Sequence, residues 1–154
     1  MAARRVVIGV GNEYRRDDGF GPRVLAELTA RRDGDHRLDG VELRVSDGEP
    51  SRMLQAWTGA ALAVVVDVAA GGGTGWCEVC LPEDAGPAAP ATSGHSIGLG
   101  DTIRLARALD RLPCRLVALV AYGHEFGFGT GLSAPVAATI RPVTERICDL
   151  VAAP

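Results

Sequence analysis

The 154-residue chain lacks lysine altogether: its 16 basic positions are all arginine. Alongside abundant Ala and Gly, that absence reads as coding bias and carries no functional meaning. A long apolar run is also missing. Behind Arg4 and Arg5 the apolar stretch is only Val6 to Val10, broken at Gly9 and followed by polar residues, too short for a secretory signal or a membrane span. The expectation is a cytoplasmic protein with no membrane partner. There is no clustered positive charge either: the formal charge is -3, with both signs interspersed, so nucleic acid is not an expected partner. Cysteine is sparse, with four in the chain, and in a reducing compartment these are expected as thiols. Cys77 and Cys80 have the Cys-x-x-Cys spacing, but they lie in a strand-like stretch between Gly75 and Pro82. A redox pair would need a helix start there, and a zinc site a second pair. A structural role is expected. No internal repeat and no linker interrupts the chain, and with 47% of positions apolar residues 1–154 are expected to form one domain with a real core.

What is present alternates between strand and helix. Arg5 to Val10 is almost wholly apolar, the pattern of a strand buried on both faces of a parallel sheet. A polar loop, Gly11 to Asp18, leads to a helix starting near Asp18 and patterned by Phe20, Val24, Leu25 and Leu28, with Pro22 in its first turn. Val41, Leu43 and Val45 alternate with Glu42 and Arg44, which predicts a half-exposed strand near an edge. Met53, Leu54 and Trp57 suggest a short helix. Ala61 to Val66 is the most hydrophobic run and is expected to end as a strand at Asp67. A fourth strand is expected near Trp76 to Leu81, a Pro/Ala/Gly-rich loop over Pro82 to Pro90, and a helix on Leu99, Ile103, Ala106 and Leu109. Leu116 to Tyr122 predicts a fifth strand. The last helix is patterned by Val136, Ile140, Val143 and Ile147, with Ser133 as its cap and a kink at Pro142. This order implies an α/β fold, a three-layer α/β/α sandwich around a mostly parallel sheet.

In such sheets ligands sit outside the carboxyl ends of the strands, which selects the Gly11 to Asp18 loop, Asp67 and the loop carrying His95. Gly9-Val-Gly11 invites a dinucleotide-binding reading, but the third glycine of that fingerprint would fall at Tyr14, and no acid ends the second strand in register to hold a ribose. No nucleotide cofactor is expected. Asp17 and Asp18 stand at the mouth of the first helix, where one can cap while its neighbour binds. Asp67 ends a run of apolar residues and would be costly to bury unless it met a cation or several donors. With His95, Asp18 and Asp67 form an N/O donor set suited to a borderline divalent ion such as nickel or zinc. The plain alternative is a cap, a buried acid and a loop histidine on polar surface.

Taken in order, Gly9-Val-Gly11-Asn12, Asp17-Asp18-Gly19-x-Gly21, the strand ending in Asp67, His95-Ser-Ile-Gly-Leu and the Gly131-Leu-Ser133 turn resemble the hydrogenase maturation endopeptidases over nearly the whole chain. The resemblance implies a five-stranded sheet with the fourth strand antiparallel. It implies an aspartic-type endopeptidase activity that removes a C-terminal extension from the large subunit precursor of a nickel-iron hydrogenase once nickel has been inserted. By position, Asp18, Asp67 and His95 would be both the catalytic residues and the nickel ligands, the nickel arriving with the precursor. Two departures stand out. Position 18 is more often Glu in the family, so the shorter Asp requires a closer backbone. The loop after the second strand usually shows a Gly-Thr pair, where this chain has Asp47-Gly48-Glu49-Pro50. Gly48 and Glu49, with His124 and Glu125 after the fifth strand, are the expected substrate contacts. No serine or cysteine pairs convincingly with a base. That leaves two alternatives open: a non-proteolytic metal-binding or chaperone module for hydrogenase assembly, and another metal-dependent peptidase on the same fold.

Overall fold

A computed structural model describes residues 3–71, 73–81 and 98–152. The described residues contain a five-stranded sheet: β1 (Arg5–Val10), β2 (Glu42–Ser46), β3 (Leu62–Ala70), β4 (Trp76–Leu81) and β5 (Arg115–Gly123), in the order β2-β1-β3-β5-β4. β1, β2, β3 and β5 run parallel, and β4 pairs antiparallel with β5 at one edge, as the resemblance implied. The helices are α1 (Phe20–Arg31), α2 (Pro50–Trp57), α3 (Leu99–Ala108), α4 (Ala134–Ala137) and α5 (Ile140–Ala152).

Strand alternation sends successive side chains to opposite faces, and each face finds its own helices. Val7, Val64, Val66, Val117 and Leu119 pack with Val24 and Leu28 of α1 and Val143 and Ile147 of α5. On the other face Val6, Ile8, Val65 and Val120 pack with Met53, Leu54 and Trp57 of α2 and Leu99 and Ala106 of α3. The result is the expected three-layer sandwich. Cys77 and Cys80 fall on opposite faces, each packed against a different core, so they can neither bridge nor share an ion.

The chain order creates one special place. α1 carries it from β1 outward to β2, and α2 brings it back past β1 to β3. Right-handed crossovers made in opposite directions put the two helices on opposite faces. From β3 the chain leaves instead toward β4 at the far edge, so the loops leaving β1 and β3 diverge and open a crevice between them.

Two expectations about element ends are corrected. β3 does not stop at Asp67; it continues to Ala70 because β5 extends beside it, pairing Asp67 with Val120 and Ala70 with Gly123. β1 is the strand that stops, so Asp67 is still level with the carboxyl end of a strand, but of its neighbour. The final helix is not kinked but split. α4 ends at Ala137, and the Val143 N–H reaches the Thr139 carbonyl at 3.1 Å, opening α5 anew. Pro142 thus sits in the first turn of α5, where a missing N–H costs nothing.

α1 lies close against β1 because Gly21 has no side chain. A Cβ there would stand 2.4 Å from the Val10 carbonyl oxygen and 2.8 Å from that of Val66, closer than packing tolerates. Both obstacles are backbone, so Gly21→Ala is expected to lower stability by about 3 kcal/mol, measured as a shift in the urea midpoint against wild type. A midpoint unchanged within error would show that α1 can lift off without cost.

Candidate functional site

Past β1 the chain turns at once. Gly11 adopts φ +144, and a Cβ there would fall 1.9 Å from the Asp18 carbonyl oxygen, so only glycine lets the Asp18 segment fold back over the strand end. Its N–H still bonds Ser46 O at 3.0 Å. A 3-10 turn over Arg16–Gly19 follows, before α1 begins at Phe20. The helix thus starts two residues later than expected, and neither aspartate caps it: the N-cap is Gly19, without a side-chain bond.

Asp17 is fully buried. Its carboxylate accepts bonds from the N–H of His124 (2.8 Å), of Glu125 (2.9 Å) and of Ser133 (2.7 Å), and from the Ser133 hydroxyl (2.8 Å). Its own N–H donates to Glu125 O at 2.8 Å. Burial opposes ionisation, yet the N–H groups of His124, Ser133 and Glu125 with the Ser133 hydroxyl hold the carboxyl below its ordinary value. Arg16 adds to the seam: its guanidinium meets Glu125 at 2.7 Å and Gly131 O at 3.2 Å, and its N–H donates to Gly129 O at 3.0 Å. These contacts hold Arg16 in the left-handed region, at φ 51, which a side chain adopts only when its surroundings impose it. The sequence alone allows either Asp17 or Asp18 to cap the helix while the other binds. In the structure Asp17 stitches the loop after β1 to the loop after β5. The Gly131-Leu-Ser133 turn, noted for its position before α4, holds the matching donors.

Asp18 and Asp67 lie beyond that seam. Asp18 is 4% exposed, and its carboxylate accepts the Asn12 N–H at 3.1 Å. Asp67 is 8% exposed, on the α2 and α3 face of the sheet, and its carboxylate accepts the Val68 N–H at 2.8 Å. Burial pushes the Asp67 carboxyl up to about 7; the Val68 N–H opposes that rise and the nearby Asp18 charge adds to it. The two acids named from the sequence are therefore neighbours. His95 lies outside the described residues. Among those residues no three His, Cys, Asp or Glu side chains cluster to hold a metal ion. A carboxyl whose pKa is raised chiefly by burial, with a second acid beside it, is nonetheless the environment a divalent cation would relieve, so the carboxylates fit such an ion.

The expected substrate contacts are placed unevenly. His124 and Glu125 are exposed, on the loop that Asp17 grips. Glu49 instead caps α2, its carboxylate accepting from the N–H of Ser51 and Arg52 at 3.2 Å each, which occupies it structurally. Gly48 turns at φ +86 beside Val10, on the rim of the crevice. Ser133 stands before α4 as expected, but its hydroxyl serves Asp17 rather than the helix.

Two measurements follow from these acids. Between pH 4 and 7 the folded protein keeps a proton on Asp67 that the unfolded chain has released, so this group makes stability fall as pH rises through that window. Asp67→Asn is expected to stabilise the metal-free protein by on the order of 1–3 kcal/mol at pH 8 and much less at pH 4, read from denaturant melts at both values. A pH-independent difference would contradict the assignment. Asp17→Ala leaves several buried donors without an acceptor and is expected to cost roughly 3–5 kcal/mol. Amide exchange at His124, Glu125 and Ser133 should accelerate together, and unchanged exchange there would show that the seam does not depend on Asp17.

No protein-family model matches the chain, and no curated protein matches it. Solved structures do. The hydrogenase maturating endopeptidase HybD from E. coli superposes with a TM-score of 0.72 at 22% identity, covering 94% of this chain and 89% of that one. The [NiFe] hydrogenase maturation protease HybD from Thermococcus kodakarensis gives 0.70 at 21% identity, over 96% and 99%. The HycI maturation protease from Thermococcus kodakarensis KOD1 gives 0.65 at 19%, over 97% and 92%. The chain has the fold of the hydrogenase maturation endopeptidases, end to end.

Proposed function

We propose that this protein is an endopeptidase that removes the C-terminal extension from the large subunit precursor of a nickel-iron hydrogenase, acting on the nickel-loaded form. The reading rests above all on one observation: Asp67, a carboxyl held near neutrality by burial, faces Asp18 at the fork between β1 and β3, within a fold shared with named maturation endopeptidases. Asp18, Asp67 and His95 are the proposed ligands, with nickel brought in as part of the substrate. Their binding energy is then available only to a precursor that carries the ion, and an empty one is rejected for want of affinity.

The residues would divide the work as their surroundings dictate. Asp67 is fixed by a strand buried on both faces, so its carboxyl cannot retreat from the crevice. Asp18 is delivered by the turn at Gly11 and steadied by the Asn12 N–H. His95 completes the set with an imidazole nitrogen. His124 and Glu125, exposed on the gripped loop, would contact the precursor. Whether the ion serves recognition alone or also polarises the scissile carbonyl, the same three side chains must reach it.

The test is cleavage of purified precursor with and without nickel. Only the loaded form should be shortened, and cleavage of both forms, or of neither, would refute the reading. Stable complex formation without shortening would favour an assembly chaperone instead. Asp18→Asn and His95→Ala should each reduce processing by at least about 100-fold, a loss typical of removing a ligand or essential side chain, with the thermal melting temperature retained. Near-wild-type turnover by both would remove these residues from the site.

A further inference from the structure

β2 is the outermost strand on its side of the sheet, and its free edge has a definite chemistry. Ser46 O accepts from Gly11 N across the β1 pairing, so by the alternation of a parallel ladder Glu42, Arg44 and Ser46 bond to β1 while Leu43 and Val45 turn their main-chain N–H and C=O outward. No partner for those outward groups occurs among the described residues. The side chains of Leu43 and Val45 border a groove of about 570 Å³ between β2 and α1. It runs to Gly11 and Asn12, and the Asn12 N–H is the group that binds Asp18. The groove therefore ends at a residue that touches Asp18. Its surface is mostly apolar and open: Tyr14 is 62% and Val45 61% exposed, side by side in one groove. Its charged members are acids. Asp47 is engaged by Arg52 at 2.7 Å, whereas Glu13 has no cationic partner among the described residues.

We propose, resting on the endopeptidase reading, that this groove receives the extended tail of the substrate as an added strand on β2. An open row of N–H and C=O groups spaced two residues apart is satisfied by another extended backbone, and side chains alternating along that backbone would enter the apolar floor. The tail leads from there into the crevice at Asp18. Glu13, without a cationic partner among the described residues, selects a segment that carries a basic side chain near the crevice end and apolar ones along β2. The occupant is thus a polypeptide segment of stated character, not a small molecule.

The residues concerned are exposed and can be changed without disturbing the core. Val45→Pro removes only the outward N–H at a strand edge, where proline is tolerated, and Val45→Ala keeps that N–H while trimming the side chain. Kinetics on nickel-loaded precursor are expected to show KM raised about 10-fold by Val45→Pro, Tyr14→Ala and Glu13→Lys, with kcat within about 2-fold, the pattern of lost uniform binding. Val45→Ala should raise KM less than Val45→Pro. If wild type cleaves the precursor and all these variants keep its KM, the groove is not the tail site while the endopeptidase reading stands. If wild type cleaves nothing, that reading fails and this proposal fails with it. A concentration-dependent dimer in sedimentation that Val45→Pro abolishes would assign the edge to a second copy of the chain and overturn the proposal as well.

Discussion

Burying a carboxyl inside a sheet of valine and leucine is the constraint from which the rest of this arrangement follows. Asp67 interrupts a strand whose other residues, up to Ala69, are all buried and apolar. It gains little compensation from the Val68 N–H and is opposed by the Asp18 charge. A fold that needed only stability would place a hydrophobic residue there. The surroundings instead keep the acid in position. β5 extends alongside to Gly123, so the backbone at Asp67 stays laddered on that side, while β1 ends opposite and opens the crevice. The acid is held by the ladder on one side and borders the end of β1 on the other.

Asp17 and Asp18 are adjacent in sequence but have opposite fates, and the tight 3-10 turn they share is the reason. Asp17 points across to the loop after β5 and collects donors that hold it charged. Asp18 points back to Asn12 and towards Asp67. The first acid fixes the loop on which the second is carried. A carboxylate with several hydrogen-bond donors is a strong anchor for an irregular segment, and it fixes the loop from which Asp18 reaches the crevice.

Much of this was legible in the sequence because it follows from periodicity and from chain order. Unbroken apolar runs gave the buried strands, the alternation at Val41 to Val45 gave the edge strand, and the strand-helix order gave the layers. The crevice followed from topology, so Asp18 and Asp67 could be singled out without knowing how near they were. What stayed hidden depended on contacts between segments distant in the chain. The extension of β3 past Asp67 is a property of its pairing with β5, which no local pattern encodes. The division of labour between Asp17 and Asp18 depends on donors more than a hundred positions away, at His124 and Ser133. The loop position of Glu49 points to a substrate contact, whereas its cap on α2 follows from an acid standing directly before Pro50. A single hydrophobic stripe runs through α4 and α5, so periodicity predicts one helix with Pro142 in its interior, and the break that puts Pro142 in a first turn is not encoded there.

A carboxyl that stays protonated near neutrality is a poor ligand until it loses its proton, since metal binding requires the deprotonated form. On the proposed reading, any ion entering the crevice has to displace the proton of Asp67 as well as its own water. With the carboxyl pushed up to about 7 that proton costs an ion little at neutral pH, so the choice among ions falls to the donor set, in which a borderline divalent ion gains from the imidazole nitrogen. Burial chiefly keeps water from the acids, and it favours an ion already fixed in a partner protein, whose remaining ligands supply part of the affinity in advance.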